Sequence, residues 1–161
     1  MGDRPSPNRL RSTIPSEIQE AIALPIVEDP ERLRSILKRS RTVAVVGISP
    51  DESRPSHFVS EVVKSYGFKI YLINPEHQGE EILGEKVLAS LRDVPEKIDI
   101  IDVFRRPEAV YRLAEEAREK GFGTFWLQPG TENEGVIKAL DREGRTVVPG
   151  ICIKTCCQLL L

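Results

Sequence analysis

Two short stretches of the chain put arginine directly ahead of a proline able to open a helix: Arg54-Pro55 and Arg105-Arg106-Pro107. Proline suits the first helical position, where its missing amide hydrogen has no intrahelical partner to lose. A cation there is misplaced if only the protein is counted, because the N-terminal end of a helix favours anions by about 0.3–1 kcal/mol. Around a bound anion the same arginines become favourable, and the guanidinium fork matches phosphate oxygens. The two stretches therefore read as the basic lining of a phosphate site. The competing reading pairs them with Asp51, Glu52 or Glu108 in surface salt bridges, which are common and contribute little.

The loop Gly47-Ile48-Ser49-Pro50-Asp51-Glu52-Ser53-Arg54-Pro55-Ser56 supports the phosphate reading. Gly47 permits a tight turn, the serines offer hydroxyls, and a helix opening at Pro55 presents unpaired N–H groups. The loop has one glycine where the dinucleotide fingerprint G-x-G-x-x-G needs three, and no G-K-[ST] of a P-loop occurs. Asn74-Pro75 stands where an NAD-binding fold carries an acid for the ribose. Ordinary NAD binding and nucleoside triphosphate hydrolysis are thus disfavoured. His57 reads as solvated or ligand-adjacent rather than as a base, and His77 has no visible partner. Cys152, Cys156 and Cys157 lack the paired spacing and histidines of a zinc site, so no metal is expected. They read as buried or incidental thiols, although Cys152, just beyond a strand, is placed to face a ligand. Trp126 reads as core, and Phe104 serves equally as a stacking platform or a plug. No catalytic set emerges from the spacing.

The elements that must position these residues alternate in period. Asp29-Pro30-Glu31 opens a short helix, and Thr42 to Ile48 is a near-continuous apolar run, as in a strand buried on both faces. A helix over about 55–66, a strand over 68–73, a short third strand within 81–87 and a helical turn over 90–94 follow. Then come a strand over 98–104, a long helix from Pro107, a strand over 123–127, a helix over 132–140 and a strand over 146–148. Thr131-Glu132-Asn133-Glu134 reads as a capping box for the last of these helices. Strands separated by helical crossovers imply a doubly wound parallel α/β sheet, whose ligands lie beyond the carboxyl ends of the strands. One such domain, with an N-terminal helical extension, is expected over 29–161, after a flexible or irregular stretch over 1–28.

Composition sets the outer limits. The 161 residues carry 23 Lys and Arg against 25 Asp and Glu, a net charge of −2, which offers no footprint for nucleic acid. No apolar run is long enough to span a bilayer, and the Met1-Gly2 start is a poor acylation site with Asp3 and Pro5 behind it. All three cysteines lie in the last ten residues, which does not make a secreted disulfide framework, so the expected location is the cytoplasm.

Five blocks in order carry a family likeness: Val46-Gly47-Ile48-Ser49 through Arg54-Pro55-Ser56, Asn74-Pro75, Leu83-Gly84, Val103-Phe104-Arg105-Arg106-Pro107, and Trp126-Leu127-Gln128. They resemble the small bacterial and archaeal CoA-binding proteins, whose Rossmann-type domain is similar to the N-terminal domain of the succinyl-CoA synthetase alpha subunit. The resemblance implies coenzyme A, or an acyl-CoA, across the carboxyl edge of the sheet. It places Gly47, Ile48, Ser49 and Arg54 by the pyrophosphate, with Pro55 opening the helix of the same binding loop, Asn74, Pro75 and Phe104 around the adenosine, Arg105 and Arg106 as candidates for the phosphates, and Gln128 along the pantetheine arm. The second domain and phosphohistidine machinery of the synthetase are absent, so a non-catalytic binding protein is expected. Two rivals stand beside it: an NAD(H)-binding oxidoreductase or redox sensor, and an enzyme acting on the coenzyme thiol through Cys152. The apolar end, Thr155 to Leu161, points to docking against a neighbour or a second copy of the chain.

Overall fold

A computed structural model describes residues 26–161. The readings made on the N-terminal stretch before Ile26 lie outside the described residues. The elements in chain order are helix α1 (Pro30–Arg39), strand β1 (Thr42–Val46), helix α2 (Pro55–Ser65), strands β2 (Lys69–Ile73), β3 (Glu81–Ile82), β4 (Glu85–Lys86) and β5 (Ile100–Val103), helix α3 (Pro107–Lys120), strand β6 (Thr124–Leu127), helix α4 (Glu134–Arg142), strand β7 (Thr146–Pro149) and helix α5 (Ile153–Leu160). Single 3-10 turns occupy Pro75–His77 and Leu91–Asp93.

The five long strands form one parallel sheet in the order β2-β1-β5-β6-β7. Every residue of β1, β5 and β6 is buried, which is why these segments lack the alternation of a half-exposed strand; β5 interrupts its apolar run with one buried acid, Asp102. Leu33, Ile36 and Leu37 of α1, Val59 and Val63 of α2, and Ile153, Cys156 and Cys157 of α5 cover one face together with Val43, Val45, Ile100 and Trp126. Val110, Leu113, Ala114 and Ala117 of α3, with Val136, Ile137 and Leu140 of α4, cover the other. The doubly wound α/β class is therefore observed. Chain order reverses between β1 and β5, and such a reversal opens a crevice at the strands' carboxyl ends. Among the described residues, no helix is long and apolar enough to cross a membrane.

Three local expectations change. The segment 81–87 does not join the main sheet; it folds back as the β3–β4 hairpin through Leu83 and Gly84, both at positive φ (53° and 76°). The Lys64 ammonium donates to the Leu83 carbonyl at 2.6 Å and lies 3.3 Å from Glu85, which pins the turn to α2. The capping box at Thr131 does not form, because its hydroxyl donates to the Gln128 carbonyl and Glu132 accepts from the Gly130 amide. Asn133 caps α4 instead, accepting from Val136 N–H. Finally, the apolar end of the chain is the helix α5, whose Ile153, Cys156 and Cys157 pack within this same chain. Leu159 (76% exposed) and Leu161 (45%) stay at the surface, a narrower basis for self-association than the composition of the tail suggests.

Candidate functional site

β1 and β5 release the chain at the same level, because Val46 is in register with Val103. Beyond them the two backbones run in contact: the Phe104 amide donates to the Val46 carbonyl at 2.9 Å, and the Gly47 amide donates to Ile73 on the other side, also at 2.9 Å. Gly47 has φ +97°, and a Cβ on it would lie 2.2 Å from the Phe104 carbonyl oxygen. Only glycine fits there. Above this junction opens a crevice of about 820 Å³. Gly47, Ile48, Ser49, Arg54, Pro55, Asn74, Phe104, Arg105, Arg106 and Gln128 all line it, so residues far apart in sequence converge on one crevice. Pro75 is the exception. It lines a second cavity of about 490 Å³ toward α3, where Gly47, Asn74 and Arg105 also appear. Phe104 is half-buried, packed on the core and bordering the crevice.

Three helices begin at this crevice without a side-chain cap: α2 at Arg54, α3 at Arg106 and α5 at Cys152. The other two helices among the described residues are capped in the ordinary way, α1 by Asp29 and α4 by Asn133. The uncapped starts leave amide donors and positive dipole ends in the crevice, with Arg54, Arg105, Arg106 and Lys154 beside them. Neither Arg105 nor Arg106 has a carboxylate within 4.0 Å among the described residues, and Arg54 reaches Asp51 only at 3.9 Å with both side chains exposed. Asp51 is itself occupied by the Ser53 hydroxyl and amide, at 2.7 and 2.9 Å, which hold its carboxyl below the usual carboxylate range. Salt bridging therefore does not account for the two arginines after β5.

Lys154 and the start of α5 are the part that sequence reasoning missed. The spacing of Ile153, Cys156, Cys157 and Leu160 carries the helical signal that would have found them.

Residues 41–158 match the family model described as a CoA binding domain. The chain belongs to that family. It is 41% identical over 122 residues to an uncharacterized protein, YneT, of Bacillus subtilis, covering 76% of this chain and 89% of that one. A solved structure from Thermus thermophilus (cell-free ID.343) superposes with a TM-score of 0.80 at 36% identity, over 83% of this chain and all of the other. An ADP-forming acetate–CoA ligase of Archaeoglobus fulgidus is 28% identical over 105 residues, which is 64% of this chain and 15% of the ligase.

In this CoA binding domain several crevice residues act on the loop. The Ser56 hydroxyl accepts from the Ser49 amide at 3.0 Å, and His57 donates from Nδ1 to the Ser49 carbonyl at 3.0 Å. His57 is buried rather than solvated, and His77 does have a partner, the Glu80 carboxylate at 2.9 Å. Asn74 donates from Nδ2 to the Ile48 carbonyl at 2.8 Å and accepts from the Glu76 amide at 3.0 Å. It ties the loop after β1 to the turn after β2. Replacing Asn74 by alanine strands the buried Ile48 carbonyl, and a loss of about 1–3 kcal/mol is expected in a urea titration.

The floor holds a second polar pair. Asp102 is fully buried in β5, its Oδ1 accepting from Gln128 Nε2 and its Oδ2 without a partner. Burial, relieved only by Gln128, pushes its pKa up to about 7. A carboxyl raised on folding favours the folded state below its unfolded pKa of about 3.9, and that advantage is lost as pH rises to about 7. Stability relative to Asp102→Asn should therefore fall by roughly 1.4 kcal/mol per pH unit between pH 5 and 7 and level off above, as thermal unfolding of both proteins will show. A constant difference over this range would contradict the assignment. Cys156 and Cys157 are buried, their thiols pushed up to about 11 and 12. Cys152 is half-buried on the crevice wall.

Proposed function

We propose that this chain binds coenzyme A, or an acyl-CoA, in the crevice between β1 and β5. The observation that carries the reading is the convergence of three uncapped helix starts and four cations on one crevice, in a member of the CoA binding domain family. The diphosphate lies against Gly47, Ile48, Ser49, Arg54 and Pro55, where the α2 dipole and the loop amides favour it. Arg105 and Arg106 contact phosphate from the opposite wall. The adenosine occupies the end bounded by Asn74 and Phe104, with Pro75 on the side of the neighbouring cavity toward α3, and the pantetheine arm runs past Gln128 toward Cys152.

The protein acts as a binding module on this reading. Among the described residues no nucleophile–base pair is assembled: His57 is spent on a backbone carbonyl, and Cys156 and Cys157 are protonated in the core. The half-buried Cys152 favours one alternative, in which its thiolate attacks a CoA disulfide, expelling one CoA thiolate and leaving a protein–CoA mixed disulfide. Titration calorimetry with CoA, acetyl-CoA and NADH tests the reading. CoA or acetyl-CoA should bind and NADH should not; folded protein that binds neither coenzyme, or prefers NADH, defeats it.

A further inference from the structure

Gln128 is 3% exposed, yet it lines the crevice, so its carboxamide is shared between the core and the ligand space. One end is fixed: Nε2 donates to Asp102 Oδ1, while Oε1 accepts from no group among the described residues. Behind it, Asp102 Oδ2 is buried and unpartnered. A charged carboxylate with an orphaned oxygen at that depth is costly, and a proton on it removes the charge. That proton needs an acceptor. A half-turn of the Gln128 amide supplies one for a proton carried on Oδ1, the oxygen that faces it: Oε1 then accepts from Oδ1–H, the NH₂ group turns to the crevice, and the unpartnered Oδ2 is left as a neutral carbonyl oxygen.

We infer that Asp102 and Gln128 form a two-position element in the crevice floor, which shows the ligand an amide oxygen when Asp102 is ionised and amide hydrogens when it is protonated. The surroundings leave this pair in control. Asp102 lies in register with Val45 of β1 and Trp126 of β6, which carry no charge. From α5 it faces the Cys157 thiol, which stays neutral. From α2 the titratable group on this face is His57, committed to the Ser49 carbonyl. No Lys, Arg or His forms an ion pair with Asp102 among the described residues. A midpoint near neutrality for Asp102 agrees with this geometry.

The consequence for ligands rests on the coenzyme reading. A thioester carbonyl only accepts hydrogen bonds, so it is matched by the protonated position and opposed by the ionised one. The element would then bias the crevice toward acyl thioesters as pH falls through neutrality. Acetyl-CoA and S-ethyl-CoA isolate the effect: they are similar in size, differ by the carbonyl, and carry no free thiol to titrate. The ratio of their affinities should favour acetyl-CoA roughly three- to ten-fold more at pH 5.5 than at pH 8.5, the worth of about one hydrogen bond, and should not move in Asp102→Asn.

The switch itself is read without any ligand. The Gln128 side-chain amide pair, assigned in NMR spectra by its loss in Gln128→Glu, should shift with a single midpoint near pH 7 in the wild-type protein. A signal flat from pH 5 to 8.5 overturns the inference whatever binds. If it titrates while the affinity ratio stays constant, the ligand half is overturned. Protein that titrates but binds neither thioester nor thioether overturns the coenzyme reading instead.

Discussion

Replacing both Arg105 and Arg106 by alanine is expected to weaken coenzyme A binding by about two orders of magnitude while changing pantetheine affinity less than two-fold. A hydrogen bond to a charged group contributes about 1.5–3 kcal/mol, and solvent exposure of these side chains puts each near or below the lower bound. Two such contacts give about 2.7 kcal/mol, which is the hundred-fold stated. Pantetheine carries no phosphate and so reports whether the crevice survives the substitutions. The arginines have no carboxylate partner to abandon, so their removal should leave the thermal midpoint within a degree or two. Calorimetry with both ligands decides the matter. Equal losses for CoA and pantetheine would remove the phosphate role, and loss of the fold would show that the arginines support structure. Raising salt should reproduce part of the effect in the wild-type protein, because exposed charges are screened.

The second large effect belongs to Gly47. Substitution by alanine forces a side chain into a left-handed backbone conformation at φ +97°, which costs about 1–3 kcal/mol, and sets its Cβ against the Phe104 carbonyl at 2.2 Å. That carbonyl is backbone, held by the amide of the same residue donating to Val46, so it has little room to retreat. The ends of β1 and β5 must separate, and the crevice they floor is displaced. A fall in thermal midpoint of about 10 °C and loss of detectable CoA binding are expected, since a domain of this size loses roughly 2–4 °C per kcal/mol. Gly79→Ala is the control. Its φ of +86° is similar, but nothing lies within 4 Å of the added methyl. If the two variants melt alike, backbone conformation alone explains Gly47 and the close approach to Phe104 carries no weight.

Both effects concern residues that adjacent sequence made legible. Arg105-Arg106-Pro107 and Gly47 stand in local contexts whose meaning is set within a few residues: a buried strand that ends, a glycine, a proline that opens a helix. Asn74 is different. Its position after a strand was readable, but its carboxamide is consumed by the Ile48 carbonyl 26 residues earlier, a pairing that exists only once β1 and β2 lie side by side. Lys154 escaped notice because the last helix looked like a tail; its apolar side is explained by α1 and α2, which no local window contains. Thr131 failed as a cap for a local reason instead: its hydroxyl is turned back to the Gln128 carbonyl three residues earlier, and the helix starts later, at Asn133.

By itself, then, the amino-acid sequence determined the alternation of buried strands and amphipathic helices, the parallel class of the sheet, and the presence of cations at helix starts. Periodicity and helix-end chemistry act over a few residues, so they survive without tertiary knowledge. Tertiary structure alone decided which helix starts meet, that α5 adds a third, that Asp102 lies fully buried beneath Gln128, and which crevice side chains are already spent on the loop. Those outcomes depend on the strand order β2-β1-β5-β6-β7 and on which groups lose water when the layers close, quantities that no stretch of chain carries within itself.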